Sequence, residues 1–113
     1  MSLTVSPHAG PVKVSAGEVD IVNTTRALEL IEGSLPPVLY VPREDTDMSA
    51  LVRSDYTSFC MAKGDANYFH IRGTDGSLIE DAVWSYETPI AGVTSIKEHL
   101  AFYPHKVDIV LGA

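Results

Sequence analysis

Ala66-Asn67-Tyr68-Phe69-His70-Ile71-Arg72, followed by Gly73-Thr74-Asp75-Gly76-Ser77 and then by Leu78-Ile79-Glu80 and Ala82-Val83-Trp84-Ser85-Tyr86, is the stretch that decides the fold. Its first segment alternates, with Asn67, Phe69 and Ile71 on one face and Tyr68, His70 and Arg72 on the other. Asp75-Gly76 supplies the positive φ that a tight hairpin needs, so the flanking segments read as strands. In the later strand Ala82, Trp84 and Tyr86 share a face.

Working outward, the same grammar recurs. Val12-Lys13-Val14, Val19-Asp20-Ile21-Val22 and Thr25-Arg26-Ala27-Leu28-Glu29-Leu30-Ile31 alternate with the period of half-buried strands. Leu35-Pro36-Pro37 is a turn, because proline blocks helix and pushes the residue before it into extended geometry. Val38-Leu39-Tyr40-Val41 reads as a strand ending at Pro42, and Asp47 is placed to cap a helical turn within residues 47–52. Toward the end, Leu100-Ala101-Phe102-Tyr103 and Val107-Asp108-Ile109-Val110-Leu111 read as strands around Pro104. One helix is expected over Gly92 to Leu100, where Val93, Ile96 and Leu100 fall on a common face. Residues 1–10, with Pro7 and Gly10, are expected to be loose, and residues 11–113 to form one β-rich domain. The expected class is mainly β: about seven to ten short strands in a compact single domain, barrel-like or with two packed antiparallel sheets, plus one or two short helices.

Composition narrows the function classes. The 113 residues are 45% hydrophobic and 20% charged, an ordinary globular balance with room for one core. With 8 Lys and Arg against 15 Asp and Glu the formal charge is −7, which argues against binding nucleic acid or an anionic membrane. No apolar run approaches the roughly 20 residues of a spanning helix. Met1-Ser2-Leu3-Thr4-Val5-Ser6-Pro7 lacks the basic and apolar regions of a secretory signal, so a cytoplasmic location is expected. Cys60 is the only cysteine, which leaves no internal disulfide framework.

Three groups of residues carry candidate chemistry. Arg43, Glu44 and Asp45 follow an apolar strand, where the Arg43 fork suits a carboxylate or phosphate and the acids suit proton transfer. The plainer reading is a charged loop whose acids pair with Arg43. Cys60-Met61-Ala62-Lys63-Gly64 places a lysine three residues from a thiol, a spacing that stabilises a thiolate, although a lone cysteine serves equally as a small core residue. Tyr40, Tyr68, Trp84, Tyr86 and Tyr103 are amphipathic aromatics set in strands, suited to walling a pocket for a planar or anionic ligand or to ordinary core and rim packing. His8, His70, His99 and His105 show no metal-ligand spacing, and no metal site is expected. Gly33-Ser34 followed by Asp45-Thr46-Asp47 resembles the signature of polymerase-beta-like nucleotidyltransferases. Pro36-Pro37, however, falls where that signature needs a helix, and the aspartates sit in a proline-led loop.

Blocks in a fixed order along nearly the whole chain resemble the family known as domain of unknown function 427. They are Arg26-Ala27-Leu28 with Glu32; Tyr40-Val41-Pro42-Arg43-Glu44-Asp45; Cys60 to Tyr68; Trp84-Ser85-Tyr86 with Pro89; and His99-Leu100-Ala101-Phe102-Tyr103-Pro104 leading to Val107-Asp108. The family's central motif, Cys-Pro-Tyr-Lys-Gly-x-Ala-x-Tyr, stands here as Cys60-Met61-Ala62-Lys63-Gly64-Asp65-Ala66-Asn67-Tyr68, so an aromatic beside Cys60 is missing. The resemblance implies a compact β-rich fold similar to the beta-tent group, which includes methionine sulfoxide reductase B and the ligand-binding domain of cereblon. It also implies, for relatives with paired Cys-x-x-Cys motifs, a structural zinc that a chain with only Cys60 is not expected to hold. It implies no established activity.

The expected function is binding of a small anionic or aromatic ligand in a pocket lined by Arg43, Asp45, Cys60, Lys63, Tyr68 and Trp84, with Glu44, Tyr40, Tyr86 and Tyr103 beside it. The alternatives are an enzyme of hydrolase or transferase type, using Cys60 with Lys63 or the acids Glu44 and Asp45, and a structural or protein-interaction subunit. No residue pattern names a cofactor, and a homodimer is the assembly left open.

Overall fold

The computed structural model describes residues 2–112; Met1 and Ala113, the outer ends of the expected tail and domain, lie outside the described residues. The strands are β1 (Leu3–Pro7), β2 (Val12–Ala16), β3 (Val19–Thr24), β4 (Leu28–Glu32), β5 (Val38–Tyr40), β6 (Leu51–Cys60), β7 (Gly64–Arg72), β8 (Leu78–Ser85), β9 (Ala101–Phe102) and β10 (Asp108–Leu111). They form three antiparallel sheets ordered β1-β4-β5, β10-β2-β3 and β6-β7-β8-β9. The mainly β class expected from alternation is correct. The sheets number three rather than two, and they pack together instead of closing into a barrel.

Several expectations need correcting. Leu3–Pro7, inside the segment expected to be loose, pairs along its length with β4, from Leu3 opposite Glu32 to Pro7 opposite Leu28. The expected helix over residues 92–100 is a single 3-10 turn, Thr94–Ile96. Gly92 at φ +100 and Glu98 at φ +61 bound it, and the β-branched Val93, Thr94 and Ile96 disfavour a longer α-helix. Val93 and Ile96 are buried in one core and Leu100 in the other, so the apolar residues do point inward, but from a tight turn rather than from one helical face. The longest strand, β6, has no counterpart in the sequence reading. Its polar middle, Arg53-Ser54-Asp55, hides the alternation, and its pairing with β7 slips between Arg53 and Thr57. The Asp47 cap is as read: its carboxylate accepts from the Ser49 amide at the start of a 3-10 turn, Met48–Ala50.

The strand that opened the reading divides the interior in two. Phe69 and Ile71 of β7 join Val12, Val14, Val41, Val83 and Phe102 in an aliphatic core. Ala66 and Tyr68 of the same strand face a second core with Leu30, Tyr40, Tyr86 and Ile96. Because neighbouring side chains of a strand point to opposite faces, burying both faces makes β7 the central wall of the molecule. The second core is the one built of tyrosines.

Candidate functional site

The tyrosine side of β7 is assembled by strand register. Tyr68 lies opposite Trp84 on β8, and Trp84 lies opposite Ala101 on β9, which brings Tyr103 within 4.5 Å of the indole. Tyr40 of β5 completes the set, receiving the Trp84 Nε1–H on its hydroxyl at 3.3 Å and standing edge-on to the indole. These rings, with Tyr86, border a cavity of about 190 Å³ that Leu30, Leu35, Pro36 and Val38 close on the apolar side. The Tyr86 hydroxyl has no protein partner among the described residues. A neighbouring cavity of about 140 Å³, sharing Val38 and Trp84, is lined by Val12, Val14, Phe102 and Ile109 and carries no charged group.

The polar end of the chamber is Lys63. The Met61-Ala62-Lys63 loop joins β6 to β7, and Cys60 pairs with Gly64, which sits at φ +113 as such a three-residue hairpin requires. The turn brings the Lys63 ammonium onto Cys60 Sγ at 3.4 Å and onto Glu32 Oε1 of β4 at 2.8 Å, with Lys63 only 7% exposed. Burial works against the ammonium, but the hydrogen bonds to Glu32 and Cys60 outweigh it and hold the Lys63 pKa above its ordinary value. Lysine carries three donor protons, and these two bonds leave one for a guest. The phenols of Tyr40, Tyr86 and Tyr103 are weaker acids than usual. Burial raises the pKa of Tyr40 and Tyr86, and burial together with the Tyr68 hydroxyl pushes Tyr103 up to about 12.

The structure therefore brings together Tyr40, Tyr68, Trp84, Tyr86, Tyr103 and Lys63, with Cys60 bonded to the last. It does not bring Arg43, Glu44 or Asp45 to them. Arg43 donates from Nη2 to Glu87 Oε2 at 2.9 Å and to Ser85 Oγ at 3.0 Å, and from Nε to the Glu98 carbonyl at 2.6 Å. Its guanidinium lies over the Phe69 ring, as does that of Arg53, so Glu87 is clasped between two arginines. Asp45 accepts from the Arg26 fork and from the Thr24 hydroxyl, which hold its carboxyl below the usual range, with the Arg26 bonds the larger cause. Glu44 lies with Asp45 along an open groove beside β2 and β3. The expected common pocket of Arg43, Asp45, Cys60, Lys63, Tyr68 and Trp84 is thus corrected at the 43–45 loop, whose charges are held by contacts of their own away from Lys63, Tyr68 and Trp84. The Asp45-Thr46-Asp47 spacing likewise builds no paired acid site, since Asp47 is spent on its cap.

Glu32 and Glu87 are the functional-site and network residues that sequence reasoning missed. Glu32 appears in the sequence only as part of a resemblance block, and nothing local to it announces its pairing with a lysine 31 residues away. Among the described residues no three His, Cys, Asp or Glu side chains gather as metal ligands. No helix among them is long and apolar enough to cross a membrane.

Fold and cavity together define a small mainly β protein with a ring-walled chamber and a lysine–glutamate pair at its polar end. A family model described as Domain of unknown function (DUF427) matches residues 4–112, and the chain belongs to that family. A comparison with curated proteins finds no match.

Proposed function

We propose that the protein binds a small planar ligand, one aromatic ring bearing an acceptor group such as a carboxylate or carboxamide, in the chamber between Tyr40, Tyr68, Trp84, Tyr86 and Lys63. The observation that carries this reading is the coincidence of ring walls with a buried ammonium that keeps one proton free. Size supports it: an apolar cavity of about 150 Å³ accepts benzene, so about 190 Å³ suits one ring and a small polar substituent. Hydrogen-bonding capacity supports it as well, since the remaining Lys63 proton can be taken by an acceptor but not by a cationic ammonium group.

Trp84 is the only tryptophan and lines the chamber, so its fluorescence reports occupancy directly. Titration with benzoate, benzamide and benzylamine, with parallel thermal melts, tests the reading. Benzoate and benzamide are expected to change the emission saturably and raise Tm by mass action, and benzylamine to do neither. Lys63→Met, made with Glu32→Gln so that no lone charge stays buried, is expected to weaken benzoate by about tenfold or more. Equal response to all the probes, or none to any, overturns the proposal.

A further inference from the structure

The chamber holds donor protons that the protein itself does not use. Lys63 keeps one after its bonds to Glu32 and Cys60. Tyr40, 1% exposed, accepts from Trp84 Nε1 on its hydroxyl, and its own proton meets no acceptor among the described residues. Tyr86, 7% exposed, makes no side-chain hydrogen bond to them at all, and its ring lies 6.5 Å from that of Tyr40. Buried hydroxyls are costly to leave unmet, so the larger need for a partner is at Tyr86.

One acceptor stands among these donors. Glu32 lines the same chamber; its Oε1 takes the Lys63 bond at 2.8 Å, and its Oε2 has no protein donor among the described residues. The groups feel one another's charge. Burial raises the pKa of Tyr40 and Tyr86, and beneath that effect Lys63 and Glu32 act on Tyr40, and Tyr40 and Glu32 on Tyr86.

Charge and hydrogen bonding then select the head group of the guest. Glu32 already balances Lys63, so a carboxylate brings an uncompensated charge into a mostly buried site and sets it beside Glu32. An ammonium finds only the Glu32 oxygen, faces Lys63, and leaves the other donors unmet. A carboxamide is neutral, with two lone pairs on its oxygen and two protons on its nitrogen.

We infer that the ligand is an aromatic carboxamide, its carbonyl oxygen held by Lys63 and the Tyr86 hydroxyl and its N–H by the spare oxygen of Glu32. This rests on the chamber reading proposed above and narrows it from any acceptor to a neutral group that also donates. Tyr86 and Glu32 set the specificity, the first for the oxygen and the second for the nitrogen.

Calorimetric titration of the intact chain with three probes of one shape tests this. Acetophenone has the carbonyl of benzamide without its N–H, and benzoate replaces the N–H by a charged oxygen. The wild type is expected to bind benzamide about tenfold or more tighter than either, as one buried hydrogen bond to a charged acceptor provides. Tyr86→Phe is expected to weaken benzamide and acetophenone alike, by about fivefold to tenfold, and to keep their ratio. Glu32→Gln frees the Lys63 charge and is expected to reverse the order, with benzoate overtaking benzamide. Acetophenone or benzoate binding the wild type as tightly as benzamide, Tyr86→Phe leaving benzamide unchanged, or an order unaltered in Glu32→Gln overturns the inference while binding of any probe keeps the chamber. If Glu32→Gln does not fold, the wild-type order and Tyr86→Phe decide. If no probe binds the wild type, both readings fall together.

Discussion

Replacing Glu87 by glutamine removes one negative charge and almost no volume, from a position where the charge faces two guanidiniums. The carboxylate accepts from Arg53 Nη1 and Nη2 at 3.1 and 2.6 Å and from Arg43 Nη2 at 2.9 Å. The Arg53 bonds, and then Arg43, hold its pKa at about 2 against an ordinary 4.5, in opposition to partial burial. At about 1.4 kcal/mol per pH unit that gap caps the stabilisation at about 3.5 kcal/mol. Arg53 is 53% exposed, so solvent screening brings the net effect to about 1–2 kcal/mol. Glu87→Gln is therefore expected to lower stability at pH 7 by that amount, a Tm drop of about 4–8 °C for a chain of this length.

The pH dependence makes the prediction specific. The folded carboxyl is the stronger acid, so as pH falls the unfolded chain takes up the proton first. The stabilisation is complete above 4.5 and is lost as pH falls through about 2. Urea melts of the wild type and Glu87→Gln at pH 7, 5, 4 and 3 should show a constant gap down to about pH 5 and most of it gone by about pH 3. Equal stability at pH 7, or a gap undiminished at pH 3, would refute the account of this network.

Two further outcomes follow from the tyrosine core. Tyr103, held at about 12, keeps its proton longer than an unfolded phenol of pKa 10, so its contribution is complete below pH 10 and is lost as pH rises through about 12. Tyr103→Phe should flatten the alkaline fall in stability, read by melts alongside phenolate absorbance; an unchanged alkaline limb would remove the claim. Ile96→Ala, at a side chain with no exposure, should cost about 2–5 kcal/mol and lower the urea midpoint without changing the slope, and a loss below about 0.5 kcal/mol would show that the turn is not part of the core.

Strand alternation was legible wherever one face was apolar: β2, β3, β5, β7 and β10 follow their patterns closely. It failed at β6, where Arg53 and Asp55 project to solvent and a slipped register interrupts the period. It misled at residues 92–100, because apolar residues at helical spacing also fit a 3-10 turn held between two positive-φ residues. The aromatic half of the candidate site was legible for a related reason. Tyr40, Tyr68, Trp84 and Tyr86 occupy or adjoin strands, and strand faces repeat predictably.

By itself the sequence determined a mainly β chain, its chief hairpin, the pool of aromatic residues and the closeness of Lys63 to Cys60, all of which are set by neighbours a few residues apart. Only the tertiary structure decided which charge meets which. Arg43 finds Glu87 across 44 residues and Lys63 finds Glu32 across 31, so the first becomes a staple and the second the floor of a chamber. A charged side chain is indifferent to sequence distance, and its partner is fixed by the strand register that brings an opposite charge within reach.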